Sequence, residues 1–387
     1  MPNIAPGTEP EVVDALVIGA GPGGLAAAAE LTSAGFGVVV LDAADRVGSS
    51  WSRHYDRLHL HTARRLSSLP GTTIPATKGQ WVSRDDFLAY LADYAVAHGL
   101  DVRLGVSAVE VKRDRERWSV VWKRGTSRGT IRAAVVVVAT GYNHTPFVPD
   151  WPGLSSFTGR VIHSSEYRNP EDLGAASVLV VGTGNSGAEI AADLAEAGVA
   201  VKLAVRTPPN IVPRAVAGIP NQYLVLSIAA LPTRARDVIS GLLQKLTIGD
   251  LSKYGIAKAP RGIVTQMERD DVTPTIDVGL INALKAGTVS VVASIDRIAD
   301  ATVHLSDGST LSPDAIVVAT GYRRGLEPLV GGLGVVGDKG RPRINADEQL
   351  PEHPGLYFIG YSNPISGNIR QLKIDAGRIA KDARRRR

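Results

Sequence analysis

Two glycine turns constrain what this chain can fold into. The first, Gly19-Ala-Gly21-Pro-Gly-Gly24, follows the apolar run Asp14-Ala-Leu-Val-Ile18. The second, Gly182-Thr-Gly184-Asn185-Ser186-Gly187, follows Val178-Leu-Val-Val181. Short apolar runs of this kind read as buried strands. After each turn the chain becomes alanine-rich and helix-favouring: Leu25 to Ala34, with Gly35 as its cap, and Ser186 to Ala197, with Gly198. A further strand follows each helix, Gly37 to Leu41 and Val199 to Val205. Strand, glycine turn, helix and strand in that order let backbone approach a pyrophosphate and aim a helix N-terminus at its charge. A G-x-G-x-x-G alone is weak evidence, but complete flanks make it a nucleotide site. A chain of 387 residues holds two or three domains. The expected class is α/β, with two Rossmann-like dinucleotide-binding domains, the second inserted in the first.

The two units end in opposite chemistry. The first closes on Asp42, whose carboxylate accepts hydrogen bonds from free ribose hydroxyls and repels a 2′-phosphate. That site takes FAD or NAD. The second closes on Arg206, whose guanidinium suits a 2′-phosphate bidentately. That site takes NADPH. Arg214 either assists it or is a plain surface arginine, the second reading being favoured.

The remaining stretches are placed around these units. Trp51, after the Gly48 turn, either stacks near a flavin or is a half-buried core aromatic. Tyr55 to Arg65 is dense in basic and histidine side chains, His61 and Arg64 among them. Ser83 caps a helix to Ala97, with Asp85 and Asp86 in its first turn. Residues 102–138 read as a small meander ending in the buried strand Ala133 to Val138 and the turn Ala139-Thr140-Gly141-Tyr142. Asp314 to Val318 and Ala319-Thr320-Gly321-Tyr322 echo it closely. The echo is economically explained by a chain that leaves one domain and re-enters it, with parts at 1–155, 156–313 and 314–387. Thr140, Gly141, Thr320, Gly321 and, after the last buried strand, Gly360 are candidates to line the cofactor sites. Residues 208–275 carry seven prolines and a helical patch from about Thr233 to Leu246, without recognisable chemistry; lining a substrate path, contacting a second subunit and touching a membrane surface are all open to them. Thr288 to Val292 and Ala301 to Leu305 are strand-like, and Lys373 to Ala383 is a closing helix.

The absence of cysteine removes disulfides, thiolate metal sites and any redox dithiol, and with it the disulfide reductases that share this layout. Of the net charge of +5, the terminal run Arg384 to Arg387 reads as a solvated, frayed tail rather than a nucleic-acid or membrane contact. The opening residues show no basic-then-apolar order, so no signal peptide is expected. The apolar run Tyr223 to Leu231 is too short to span a bilayer, so no transmembrane segment is expected. The default is a cytoplasmic enzyme acting on a small molecule, its subunit number open and a homodimer among the options.

Between the two sites runs Phe157-x-Gly159-x-x-x-His163-x-x-x-Tyr167. It resembles the fingerprint of class B flavin-containing monooxygenases, with Tyr167 pointing away from the Baeyer–Villiger branch. Arg160-Val-Ile-His163-Ser-Ser-Glu-Tyr167, Leu246-Thr-Ile-Gly249-Asp, Tyr254-Gly-Ile256 and Thr273-Pro-Thr-Ile-Asp277-Val-Gly279 are similar to the YUCCA group. The resemblance runs from about residue 13 to 382. It implies FAD in the first site, NADPH in the second, and O2 as co-substrate. It also implies transfer of oxygen from a 4a-(hydro)peroxyflavin, with oxidative decarboxylation of a 2-oxo acid such as indole-3-pyruvate favoured. By register His61 falls where animal-type members place an asparagine near the flavin. His163 either orients the linker and gates the domains, or transfers protons. Arg64 is a candidate grip for the substrate carboxylate. The Ser362–Asn368 stretch departs from the plant pattern. N-, S- or indole oxygenation is the rival enzymatic reading. Electron transfer to a protein carrier and nucleotide sensing without turnover come from other classes.

Overall fold

The computed structural model describes residues 10–362, 364 and 366–387. The opening residues, where no leader is expected, and two positions of the Ser362–Asn368 stretch lie outside the described residues. The chain forms two compact units. One comprises Met1–Ser52, Ala63–Thr145 and Tyr322–Arg387; the other comprises Arg53–Thr62 and Pro146–Gly321.

In chain order the first stretch supplies β1 (Glu11–Ile18), α1 (Pro22–Ser33), β2 (Val38–Asp42), α2 (Arg84–Ala97) and β3 (Asp101–Leu104). β4 (Ser107–Asp114), β5 (Arg117–Arg124) and β6 (Ser127–Val138) follow. The second unit then gives β7 (Arg160–His163), β8 (Ser177–Val181), α3 (Asn185–Glu196), β9 (Ala200–Ala204) and β10 (Ile211–Pro213). It continues with α4 (Thr233–Thr247), β11 (Thr275–Asp277), α5 (Leu280–Ala286) and β12 (Val289–Val292). It closes with β13 (Ile295–Ala299), β14 (Thr302–Leu305) and β15 (Ala315–Val318). The returning chain adds β16 (Leu356–Phe358) and α6 (Asn368–Arg385).

In the first unit β3, β2, β1 and β6 run parallel, and β6, β5 and β4 form the expected antiparallel meander. β6 is long enough to change partners. Its first half pairs with β5, and Val136 to Val138 pair with β16. Leu16, Val138, Trp118 and Phe358 lie in one apolar core. α1 packs on α6, whose Ile369, Leu372, Ala376, Ile379 and Ala383 form a buried stripe at helical spacing. Ser83 caps α2, its Oγ accepting the Asp86 N–H at 3.1 Å. The terminal arginines depart from a frayed tail. α6 continues through Arg385, Arg386 donates to Asp382 at 2.8 Å, and Arg387 donates to the Gly35 carbonyl and lies over the Phe36 ring.

The second unit holds a five-stranded, all-parallel sheet in the order β12, β9, β8, β15, β7. Two sequence expectations are corrected here. Asp314 to Val318 does not begin the return to the first sheet: β15 sits between β8 and β7, fully buried. An apolar run without polar alternation is built for a two-sided strand but does not say which sheet takes it. The echo between Ala133–Tyr142 and Asp314–Tyr322 is therefore one central strand per unit. Likewise Arg53–Thr62, expected within the first domain, groups with the second unit. Its polar side chains find their partners there, as described next.

Candidate functional site

The two glycine turns are built alike, down to which glycine does what. Gly19 has φ +112°, and a Cβ there would lie 2.4 Å from the Ala139 carbonyl oxygen. Gly182 has φ +108°, with its Cβ 2.5 Å from the Ala319 oxygen. So each Ala-Thr-Gly segment passes directly beneath its own turn. A Cβ on Gly24 would meet the Gly19 oxygen at 1.8 Å, and one on Gly187 the Gly182 oxygen at 2.0 Å. These four glycines are required by the fold. Gly21 and Gly184, the N-caps of α1 and α3, are not. Each has extended backbone that any residue can adopt, and a Cβ there would touch nothing within 4 Å. Each faces open space at a helix N-terminus, as a cradle for a pyrophosphate requires.

At the first cradle Asp42 ends β2. Its Oδ2 accepts the Ala20 N–H at 2.6 Å and its Oδ1 the Ala44 N–H at 2.8 Å. The carboxylate thus ties the turn to the strand end, and each oxygen keeps a lone pair for a ribose hydroxyl. Thr140 shares a 2.7 Å hydrogen bond with the Tyr361 hydroxyl beside Gly360, and burial pushes that phenol up to about 12. Gly141 and Gly321 have φ +95° and +87° with open space at the Cβ position. Trp51 is half-buried, edge-on to Phe87 at 4.8 Å. Arg64 donates to the carbonyls of Ile74 at 2.7 Å and Gly79 at 2.9 Å. Through Nε and Nη1 the guanidinium pins its own loop.

At the second cradle Arg206 follows β9, exposed and without an ion pair or hydrogen bond among the described residues. It is free to meet an anion. Asn185 is engaged, its Oδ1 accepting the Ile276 N–H at 2.7 Å. Thr275 donates to the Thr183 carbonyl at 2.5 Å. β10 and β11, paired in parallel, therefore brace the glycine turn through the Thr-Pro-Thr-Ile-Asp segment. Thr320 donates to the Phe147 carbonyl.

The linker histidine is part of this frame. His163 is buried, and its Nδ1 accepts the Ser165 backbone N–H at 3.1 Å. Nε2 then carries the proton and donates to the Gly321 carbonyl at 3.1 Å. Burial lowers the imidazole's pKa, against opposing pulls from the Gly321 carbonyl and Glu166. Tyr167 is also buried, and its hydroxyl donates to Asp193 at 2.7 Å.

Asp193 belongs to an acidic face of α3. Glu189, Asp193 and Glu196 recur at helical spacing and hold the Arg53–Thr62 segment. Arg57 bonds Asp193 at 3.2 Å and Glu196 at 2.9 Å, and His61 Nε2 meets Glu189. Tyr55 is buried near Glu189, and burial first, then the Glu189 charge, raises its pKa strongly. Arg168, one residue past Tyr167, donates to the Arg53 carbonyl. Arg214 is no surface arginine. It donates to the Leu60 carbonyl at 2.7 Å, and burial lowers its pKa to about 10 against the pull of Glu189.

Comparison with known proteins bears on this geometry. Residues 16–215 match the pyridine nucleotide-disulphide oxidoreductase family. The chain is 32% identical to indole-3-pyruvate monooxygenase YUCCA1 of Oryza sativa subsp. japonica, over 96% of this chain and 91% of that one. It is 30% identical to the probable indole-3-pyruvate monooxygenase YUCCA1 of Arabidopsis thaliana, covering 90% and 84%. The chain belongs to this family, in its YUCCA-like flavin monooxygenase branch. A solved flavin monooxygenase from Stenotrophomonas maltophilia superposes with a TM-score of 0.74, at 25% identity and 97% and 98% coverage.

By family the protein is a flavin-dependent oxidoreductase, yet it holds no cysteine with which to handle a disulfide. Sequence reasoning missed Glu189, Tyr55 and Arg57 in this monooxygenase. One signal was available: Glu189 interrupts Ala188-Glu-Ile-Ala-Ala192, where a carboxylate among apolar neighbours calls for a buried partner. No metal-binding cluster occurs among the described residues.

Proposed function

We propose that this chain uses NADPH and O2 to decarboxylate a 2-oxo acid oxidatively, indole-3-pyruvate being the substrate its relatives are named for. One observation carries the two-cofactor part: the middle glycine of each turn, Gly21 and Gly184, is demanded by nothing inside the protein. A dinucleotide at each cradle gives both a purpose. Asp42 fits FAD at the first, held by Gly19, Gly21 and Gly24. Arg206 fits the 2′-phosphate of NADPH at the second, held by Gly182, Gly184 and Gly187.

FAD, when bound, supplies the redox chemistry, taking hydride from NADPH and activating O2 for transfer of one oxygen atom. The net change is 2-oxo acid anion, O2, NADPH and a proton giving the carboxylate one carbon shorter, CO2, water and NADP. The chain's own residues position and shield. His163 steadies the Gly321 turn beneath the second cradle, Tyr167 and Arg57 hold the acidic face of α3, and Thr275 braces the glycine turn. His163 and Tyr167 thereby act as positioning residues.

The test uses the purified protein, its flavin content, and 18O2. The expected results are tightly held FAD, NADPH oxidation accelerated by indole-3-pyruvate, release of CO2, and one labelled oxygen in the new carboxylate. Oxidation indifferent to 2-oxo acids but accelerated by thioethers or amines moves the chain to N- or S-oxygenation. Rapid reduction of a carrier with no label in any product makes it an electron-transfer reductase.

A further inference from the structure

The sequence left residues 208–275 without chemistry, and their longest helix is inside out. α4 is held to the protein by polar groups. The Asp237 carboxylate accepts the Val264 N–H at 2.7 Å and the Thr265 hydroxyl, Arg236 pairs with Glu268 at 2.7 Å, and Gln244 donates to the Ile211 carbonyl at 2.9 Å. Its apolar residues point the other way. Val238, Leu242 and Leu246 are 71%, 59% and 76% exposed, with Ile239 and the preceding Leu231 open as well. At about 100° per residue these positions make one continuous stripe. A helix packed on a globular protein normally turns such a stripe to the core. A contiguous exposed patch of this kind marks an interaction site.

The charges at its edge decide what covers it. Arg234 and Lys245, eleven residues apart and so on nearly the same side of the helix, flank the stripe beside Val238. Both are exposed, and neither has an ion pair among the described residues. A second copy fits poorly. A two-fold antiparallel pairing of α4 sets Arg234 against Lys245, and a parallel one sets each base against its own copy. An acidic protein would need a matching apolar ridge as well as its charges. An anionic bilayer surface presents an apolar layer beneath a sheet of negative headgroups, and flanking bases reach the headgroups while their stems lie on the apolar boundary. We propose that α4 is a membrane-surface helix that docks this protein on anionic lipid with the Leu231–Leu246 stripe immersed. Fifteen residues are too few to span the hydrocarbon, so the helix lies in the interface plane.

The test is flotation of the full-length protein with phosphatidylcholine vesicles, with and without phosphatidylserine. Binding should require phosphatidylserine and weaken as salt is raised. Arg234→Gln and Lys245→Gln should each lower the partition coefficient about fivefold. Leu242→Glu with Leu246→Glu should abolish flotation, with NADPH affinity and the thermal melt unchanged, since both side chains are exposed. Flotation equal on both vesicle types, or undiminished in the leucine double variant, overturns the proposal. So does a wild-type dimer that the same double variant splits to monomers, which assigns the stripe to a second copy.

Discussion

Gly184→Ala separates cofactor space from folding space at the second cradle. Gly184 has φ −70° and ψ 178°, which alanine adopts without strain, and its added methyl touches nothing within 4 Å. The folded protein should therefore tolerate it, with a stability change inside about 1 kcal/mol. A pyrophosphate lying against this backbone meets the methyl directly. Crowding one methyl into a packed contact costs about 1–3 kcal/mol, or about 5- to 150-fold in Kd. Gly187→Ala is the contrast. Its methyl would lie 2.0 Å from the Gly182 carbonyl oxygen, a backbone atom that cannot swing away, so the turn itself must break. The assay is NADPH titration of both variants, with flavin content and thermal melting measured alongside. Gly184→Ala should keep its flavin and its melt while losing NADPH affinity; Gly187→Ala should lose the melt as well. An NADPH Kd unchanged in Gly184→Ala, or a melt as damaged as that of Gly187→Ala, would refute the assignment of the cradle.

Three further outcomes follow from the same geometry. Arg206→Ala should weaken NADPH by about 1.5–3 kcal/mol, the range for hydrogen bonds to charged groups, and leave NADH untouched; equal NADPH affinity in variant and wild type would falsify the 2′-phosphate role. His163 has a pKa lowered by burial, so its neutral form contributes stability fully above the unfolded value near 6.5, and that contribution is lost as pH falls through the folded value. Melting temperature should accordingly drop more steeply between neutral and mildly acidic pH in wild type than in His163→Gln, and parallel curves would remove His163 from the account. Glu189→Leu should cost about 1–3 kcal/mol in urea unfolding by taking from His61 its buried carboxylate partner. Glu196→Ala, breaking a pair whose acid is 60% exposed, should stay within about 1 kcal/mol, and the reverse ranking contradicts the burial argument.

Much of the cofactor machinery was legible because its determinants are local. The strand before each glycine turn, the helix after it and the charge at the end of the next strand lie within one short stretch of chain, and a turn that must approach a carbonyl cannot use any other residue. The roles of Arg64 and Arg214 were not legible. A basic side chain in a polar stretch reads the same whether it grips a ligand, pins its own loop to the Ile74 carbonyl, or reaches the Leu60 carbonyl as Arg214 does. His61 likewise carried no sign of Glu189, which lies 128 residues away in sequence.

The sequence by itself determined that this protein has two dinucleotide cradles, one ending in an acid and one in a base. Those features are written in spacing, glycine and charge over short distances. Only the tertiary structure decided that β15 serves the second sheet, that the Arg53–Thr62 segment is held by the acids of α3, and that α4 turns its apolar side outward. The physical reason is common to all three. Apolar runs and charged side chains state what they need, burial or a partner, but which neighbour meets the need is settled by packing among segments distant in the chain.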